Sequence, residues 1–331
     1  MSTVTAADEA AETERLRFRI AQQMNRHLEA SHDTGALPLP GFSFHRRASP
    51  ADRPSPCFLK PCLTFIVRGA RRVTLAGRTF EQGEADYLLT EVGLPTAVQV
   101  LQASPERPYL SIKQEIDFAM TRDLIADIDR HRHDLPPGAA AATTAAVTVP
   151  LAATVLRLVE LLDAPRDIPI LASALQRELI YRILTGPVGP RLRRAVRLDA
   201  GDHGVAAVLR CIRSRFDEPL RIGMLAGIAG MGQSTLHHRF RSLTGMTPLQ
   251  YQKQLRLFEA QRLMLTERLD AAVAAHRVGY ESASQFNRDY RRQFEAPPGR
   301  DTRIRASLAD RHLPSPTGRG TGSGKKSAGS V

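Results

Sequence analysis

A two-helix pattern occurs twice between Leu220 and Arg300, about 50 residues apart, and it constrains the fold more than any other feature of the chain. Each copy has a short apolar segment, a Gly turn, a second segment and a Pro stop. Two large apolar residues lie four apart in each second segment, Leu236 with Phe240 and Phe286 with Tyr290. Residues at that spacing share one face of a helix. The pattern predicts two helix-turn-helix units, which together suit two successive turns of the DNA major groove.

The opposite face of each second helix is polar or basic. In the first copy it carries Ser234, His237, His238 and Arg241, and in the second Ala283, Ser284, Asn287, Arg288 and Arg291. Asn287 is suited to reading adenine and Arg288 is suited to reading guanine. Arg241 most readily contacts a phosphate. The alternative is that these are ordinary solvent-facing side chains, and the occurrence of two copies favours the DNA-reading interpretation. No third ligand accompanies the adjacent histidines, so a metal site is not expected.

The segment between the copies, residues 249–266, has the apolar spacing of a single helix. Such a helix would be about 27 Å long at a rise of about 1.5 Å per residue. We predict that it holds the two recognition helices near one duplex turn apart, about 34 Å.

The net charge of +12 is concentrated in the C-terminal part of the chain. Residues 204–312 contain 18 Lys and Arg against 10 Asp and Glu, whereas residues 1–203 contain 25 against 24. A basic domain beside a neutral one favours a polyanionic partner.

Several protein classes are disfavoured by composition. No apolar run approaches the roughly 20 residues of a membrane helix, and the N-terminus is acidic rather than signal-like. The three cysteines, Cys57, Cys62 and Cys211, include no CxxC pair, which argues against a disulfide framework and a zinc site. We therefore expect a protein of the reducing cytoplasm that has no membrane segment.

The rest of the chain predicts an α+β protein. Short apolar segments at turn-separated intervals indicate an antiparallel sandwich or barrel, and helical periodicity returns after it. The predicted order is a helix in 1–35, a cupin-like β domain in 36–125, a helical region in 126–187, a linker in 188–203, the double helix-turn-helix domain in 204–312 and a disordered tail in 313–331. The helical region contains a hairpin that either caps the β domain or pairs subunits.

Residues 204–304 resemble the DNA-binding domain of AraC/XylS-type transcription regulators. The most specific stretch runs from Val278-Gly279-Tyr280 to Gln293-Phe294, followed by Ala296-Pro297-Pro298. The resemblance implies that the base-facing residues are Ser234, His237, His238, Ala283, Ser284, Asn287 and Arg288. Two positions depart from the family pattern, Gly232 where Ser or Thr usually caps the first recognition helix and Glu295 where Gly is usual.

Residues 34–125 resemble the N-terminal, cupin-like domain of one AraC-type subfamily. The resemblance rests on Leu39-Pro40-Gly41, the stretches 67–75 and 87–90, and 103–110. It implies that this domain binds a small effector. Cys57 and Cys62 are weak candidates for the sensing residues, although free cysteines are more often packing residues. Arg68, Arg71 and Arg72 suit an anionic ligand, but we interpret them as a solvated hairpin.

These features favour a sequence-specific transcription regulator that catalyses nothing and needs no cofactor or metal. The resemblance implies double-stranded operator DNA, a small-molecule effector and RNA polymerase as partners of a homodimer at the nucleoid. One alternative is a metal-free or metal-dependent cupin enzyme with a DNA-binding appendage. It is disfavoured because His45 is the single histidine in residues 34–125, whereas cupin metal sites cluster histidines. Another is a basic binder indifferent to sequence.

Overall fold

The N-terminal half of the protein contains two antiparallel β-sheets in a computed structural model that describes residues 6–30, 37–75, 78–131, 144–200 and 204–303. Their strands are β1 Phe42–Arg47, β2 Ser55–Leu59, β3 Cys62–Arg68, β4 Ala70–Leu75, β5 Arg78–Gln82, β6 Asp86–Thr90, β7 Leu94–Gln102, β8 Tyr109–Glu115 and β9 Thr144–Ala146. The first sheet has the order β1-β8-β3-β6-β9, and the second β2-β7-β4-β5.

Three of these strands were not singled out from the sequence. β1 carries His45-Arg46-Arg47 and β2 contains Pro56, so neither shows a clear apolar alternation. β9 lies in the segment 126–187, for which the sequence predicted helices. Ala145 pairs there with Tyr87 of β6. β9 forms because it pairs with β6, since its own residues have little preference for a strand.

Helices cover one face of the first sheet. They are α1 Ala6–Ala30, α2 Phe118–His131, α3 Val149–Glu160, α4 Ile168–Leu184 and α5 Gly189–Ala200, with a 3₁₀ turn at Leu161–Asp163. On β3, Leu63, Phe65 and Val67 point to this face and are at most 3% exposed. Leu158 of α3 and Leu179 of α4 are fully buried in the same core. The hairpin of α3 and α4 therefore packs on the β domain, and pairing of subunits stays a prediction.

The segment 188–203, which the sequence suggested to be a linker, is mostly helix α5. Leu192, Ala195 and Val196 are at most 4% exposed, and they occur at the spacing of one helix face. Four arginines among and beside them, at positions 191, 193, 194 and 197, conceal this apolar face in the sequence. The helix packs on α2, α4 and the following helix, so residues 189–200 of the predicted linker belong to the packed structure.

The C-terminal half is all helical, which confirms the α+β fold class. Its helices are α6 Val205–Ser214, α7 Ile222–Ala229, α8 Gln233–Thr244, α9 Pro248–Thr266, α10 Ala271–Arg277 and α11 Ala283–Phe294. The first helix-turn-helix shares a core with the β domain, because Val73, Leu88 and Leu94 cluster with Leu225 of α7 and Leu236 of α8. The predicted tail, 313–331, lies outside the described residues.

Candidate nucleic-acid interface

The first helix-turn-helix consists of α7, a turn at Gly230 and α8. Gly230 has a φ of 62°, a left-handed conformation that glycine adopts without a Cβ clash. Leu236 and Phe240 are fully buried, and the Phe240 ring contacts Tyr251 edge-on at a centroid distance of 5.7 Å. The inward pair thus fixes α8 against α9.

The outer face of α8 carries the predicted DNA-contacting residues. Ser234, His238 and Arg241 are exposed, and His237 is half-buried. Gly232 occupies the N-cap position, where no side chain accepts a hydrogen bond from the first turn. The first amide groups of α8 consequently depend on solvent or a ligand for partners.

The second helix-turn-helix consists of α10, the turn at Gly279 and α11. Phe286 and Tyr290 are fully buried, and a run of ring contacts continues to Phe294 at centroid distances of 5.4 and 4.3 Å. Ser282 caps α11 by accepting a hydrogen bond from the Gln285 amide at 3.4 Å. This unit is therefore better capped than the first.

All five predicted residues of α11 are exposed: Ala283, Ser284, Asn287, Arg288 and Arg291. Within the described part of the chain, neither Arg288 nor Arg291 forms an ion pair. Arg262 on α9 behaves differently, since it bonds Glu259 at 2.7 Å and Glu267 at 3.2 Å. The outer face of α11 therefore presents cationic groups that are available to phosphates and base edges.

Helix α9 joins the two units into one frame. Thr247 and Gln250 form a capping box at its start, with bonds of 3.3 and 2.9 Å. Arg256 donates to the carbonyl oxygens of Phe216 at 2.6 Å and Glu218 at 3.0 Å on one side, and of Gly279 at 2.7 Å on the other. The role of Arg256 was not predicted, because its targets are backbone groups that no side-chain pattern reveals.

Two further contacts fasten α11 to its surroundings. Lys253 of α9 pairs with Asp289 at 2.6 Å, and Asp301 accepts hydrogen bonds from Gln261 at 2.6 Å and Tyr290 at 2.7 Å. Asp289 and Asp301 are both less than 9% exposed. These polar contacts on the inner face add to the aromatic packing that orients α11.

A basic cleft lies beside the first recognition helix. It has a volume of about 500 Å³, and Arg194 and Arg197 of α5 line it together with His238 and Arg239 of α8. All four side chains are exposed. The two α5 arginines fall in the segment that the sequence suggested to be a linker. The helical spacing of the apolar residues in this segment is the sequence signal that it forms a helix and can pack against its neighbours.

The β domain contacts the DNA-binding half at Tyr251. The Tyr251 hydroxyl donates to the carbonyl oxygen of Gly93, between β6 and β7, at 2.7 Å and accepts from Arg213 at 3.1 Å. A second contact between the halves is the pair of Arg53 and Glu295, 3.4 Å apart, and Glu295 has a left-handed φ of 59° where the family usually has Gly. A cleft of about 1120 Å³ opens between the two halves here.

The two candidate sensing cysteines lie in the β domain. The sulfur of Cys57 is half-buried and lies 3.0 Å from the Thr96 hydroxyl. Cys62 is fully buried, and burial raises the pKa of its thiol. A raised pKa lowers the thiolate fraction, so the structure does not favour Cys62 as a reactive thiol.

Two classes of feature are not found in the parts of the chain that the structure describes. No three His, Cys, Asp or Glu side chains are grouped to hold a metal ion in residues 6–303 with their gaps. None of the helices in the same ranges is both long and apolar enough to cross a bilayer.

Comparison with known proteins places both halves in one family. Residues 38–191 match the AraC-type transcriptional regulator N-terminus, and residues 225–303 match a helix-turn-helix domain. The transcriptional activator RhaS of Pectobacterium carotovorum is 32% identical over 96 residues, 29% of this chain and 34% of RhaS. The transcriptional regulator ExsA of Pseudomonas aeruginosa is 27% identical over 177 residues, 54% of this chain and 62% of ExsA.

Among solved structures, the fold is similar to that of ToxT from Vibrio cholerae O395 bound to (E)-4-(8-methylnaphthalen-1-yl)but-3-enoic acid. The TM-score is 0.54 at 12% identity, over 80% of this chain and 98% of ToxT. The chain's match spans about a third of the length of RhaS. From the matched families and these relatives, the chain belongs to the AraC/XylS-type family of transcription regulators.

Proposed function

We propose that the protein is a sequence-specific transcription regulator that binds double-stranded operator DNA through α8 and α11. The observation that carries this proposal is the same in both helices. Each buries a pair of large side chains completely, and each exposes a polar and basic face whose Arg241, Arg288 and Arg291 make no ion pair with another described residue. Helix α9 and Arg256 hold the two faces in one frame.

The exposed residues divide into base-reading and phosphate-binding groups. Asn287 suits adenine and Arg288 suits guanine, because each has two polar groups that match one base edge in the major groove. Ser234, His237, His238, Ala283 and Ser284 line the base-facing side, and Arg241 and Arg291 contact phosphates. We expect α11 to discriminate bases more than α8, since Ser282 caps α11 whereas Gly232 leaves α8 uncapped.

The arginines of the basic cleft, Arg194 and Arg197 of α5 with Arg239 of α8, extend the phosphate-binding surface from the first unit onto α5. The cleft adjoins α8, and its cationic groups are exposed. Each additional phosphate contact releases counterions and steepens the dependence of affinity on salt. This surface supplies affinity without sequence preference.

The N-terminal domain is the part that senses a small effector. Tyr251, Arg213 and Gly93 connect it to the first helix-turn-helix, so that an effector which binds one arrangement of the halves better shifts the population toward it. RNA polymerase and a second copy of the chain complete the proposed partners. The protein acts by binding rather than catalysis, in the bacterial cytoplasm at the nucleoid, as befits relatives that are named transcription regulators.

Selection of bound fragments from random duplex DNA tests this function. We expect an enriched motif with two half-sites about one helical turn apart. Asn287→Ala and Arg288→Ala should each relax preference at a single base pair, by about 1–3 kcal/mol. Arg15→Ala is the matched control, because it removes an exposed charge from α1 and should leave the motif unchanged.

Two outcomes count against the proposal. If no motif is enriched at physiological salt, the protein binds DNA through its phosphates without sequence preference. Its affinity for DNA would then fall steeply as the salt concentration rises. If the enriched motif is unchanged after both substitutions on α11, that helix does not read bases.

A further inference from the structure

The space between the two sheets is lined by polar side chains. Side chains alternate between the faces of a strand, so the register puts Ser43, Lys113 and Thr64 in one row of the first sheet. His45, Ser111 and Ile66 form the next row. Thr64 and Ser111 are at most 2% exposed. The apolar face of this sheet is the opposite one, against the helices.

Arg71 of β4 lies in this interior, which corrects the interpretation of its hairpin as solvated. Arg71 is 5% exposed, whereas its neighbour Arg72 is half-buried on the outer face and pairs with Glu81 at 2.6 Å. The Arg71 Nε group donates to Gln82 Oε1 at 2.9 Å, but Nη2 is buried without a partner. The guanidinium group has one neutral hydrogen-bond partner and no acidic partner among the described residues, so the hydration it loses on burial is only partly replaced and the site favours an anion.

Other buried polar groups in the same region also lack partners. They are Nε2 of Gln82, the hydroxyl of Tyr109 and Oγ of Ser43. Gln82 is 1% exposed and faces Arg71 across the strand pair, and Tyr109 packs on Val100, which pairs with Arg71 on the other side. Native proteins leave few such groups unpaired, and several of them facing one domain interior, with Gln82 in contact with Arg71, indicate a missing polar ligand.

The electrostatic environment of this interior is cationic. His45 lies on the edge strand β1, with one side open to solvent. Its pKa is lowered to about 4, first by desolvation of its ring and then by the positive charges of Lys113 and Arg71. Two acidic residues share the inner face of the first sheet, and both are engaged. Glu115 lies 3.3 Å from Lys60 and 3.9 Å from Lys113, and Asp86 accepts from the Gly83 amide at 2.9 Å.

We infer that the space between the two sheets binds a small organic acid, with Arg71 as the anchor of its carboxylate. The guanidinium group offers a planar pair of donors that matches a carboxylate, and Gln82 Nε2 lies beside it as a further donor. Ile66, Val73 and Val100 supply apolar surface for the body of the acid. Lys113 and His45 mark the side open to solvent. This inference rests on the proposed role of the N-terminal domain as the effector-binding part.

Thermal unfolding of the full chain with acetate, butyrate and benzoate tests the inference, with the corresponding neutral amides as controls. We expect at least one of the three acids to raise Tm in a saturable way, and its amide to have no effect. Arg71→Met should weaken this binding about 100-fold or more, because it removes the cationic partner. Without ligand its Tm should not fall, since an unpaired buried charge is replaced by an apolar side chain of similar length.

Arg72→Met is the matched control, because Arg72 lies on the outer face next to Arg71 and should leave the response to acids unchanged. If Arg71→Met fails to fold, Arg71→Lys and Gln82→Leu serve in its place, and each should weaken binding at least about 10-fold. The inference is overturned if none of the three acids raises the Tm of the wild-type protein, if the amides act equally, or if the Arg71 variants respond like wild type.

The DNA fragment selection is run without any of these acids, so the two ideas fail separately. An enriched DNA motif together with no response to carboxylates removes this inference and leaves the proposed function standing. A Tm response to acids that depends on Arg71, together with no enriched DNA motif, removes the proposed DNA-binding function and leaves the acid-binding site standing.

Discussion

At the scale of single residues, Arg256 has a role that its position on an amphipathic helix does not reveal. Its guanidinium group donates to three backbone carbonyl oxygens, two before α7 and one in the turn of the second unit. It also lies over the Tyr280 ring, with 5.9 Å from Cζ to the centroid. One side chain thus ties both helix-turn-helix units to α9.

We expect Arg256→Ala to destabilise the DNA-binding half by about 2–3 kcal/mol, because three acceptors lose a charged donor. DNA affinity should fall as well, since the two recognition helices lose their common anchor. Urea unfolding and DNA titration measure these effects. Arg277→Ala is the control, since its exposed pair with Glu267 should contribute less than about 1 kcal/mol. Equal losses in the two variants would contradict the assigned role.

At the scale of secondary structure elements, α7 is held in place by packing rather than by helix preference. It has eight residues and includes Gly223 and Gly227. Leu225, Ala226 and Ala229 are at most 6% exposed and attach it to the shared core. The helix therefore forms because its apolar face is buried, since isolated helices of this length are not stable.

Gly227→Ala should stabilise the protein by about 0.5–1 kcal/mol, because Ala prefers the helical conformation. Nothing lies within 4 Å of the added Cβ. Gly279→Ala should do the opposite, since its φ is 84° and a Cβ would lie 1.9 Å from the carbonyl oxygen of Asp217. Thermal unfolding of both variants distinguishes them. Destabilisation by Gly227→Ala would mean that α7 bends or moves in a way that needs glycine.

At the scale of the whole molecule, the two halves are joined by a contact that includes both a hydrogen bond and an apolar core. Tyr251 belongs to the core of the first unit through Phe240, and its hydroxyl reaches Gly93 of the β domain. Leu88 and Leu94 extend the same core across the boundary. A change in the β6–β7 connection therefore has a direct route to α8.

Tyr251→Phe should loosen this contact while keeping the ring packing. The Gly93 carbonyl oxygen loses its buried donor, which costs about 1–3 kcal/mol. Hydrogen exchange of amides around Gly93 should become faster, whereas amides of α11 should not change. Exchange that is unaffected at Gly93 would show that apolar packing alone holds the halves together.

The amino-acid sequence by itself determined the local features of this protein. Spacing of Leu236 with Phe240 and of Phe286 with Tyr290 identified both recognition helices and their inner faces, because helical periodicity is a property of neighbouring residues. The same reasoning indicated most strands and the helical hairpin. It also indicated which residues of α11 are exposed, because the face opposite the buried apolar face of a helix points to solvent.

Only the tertiary structure decided which distant groups meet. β9 exists because Tyr87 pairs with Ala145, and Arg256 acts on carbonyl oxygens far along the chain. Arg71 and Arg72 are adjacent and chemically identical, yet one is enclosed between two sheets and the other pairs at the surface. That difference depends on strand register and on the opposing sheet, so no local pattern contains it.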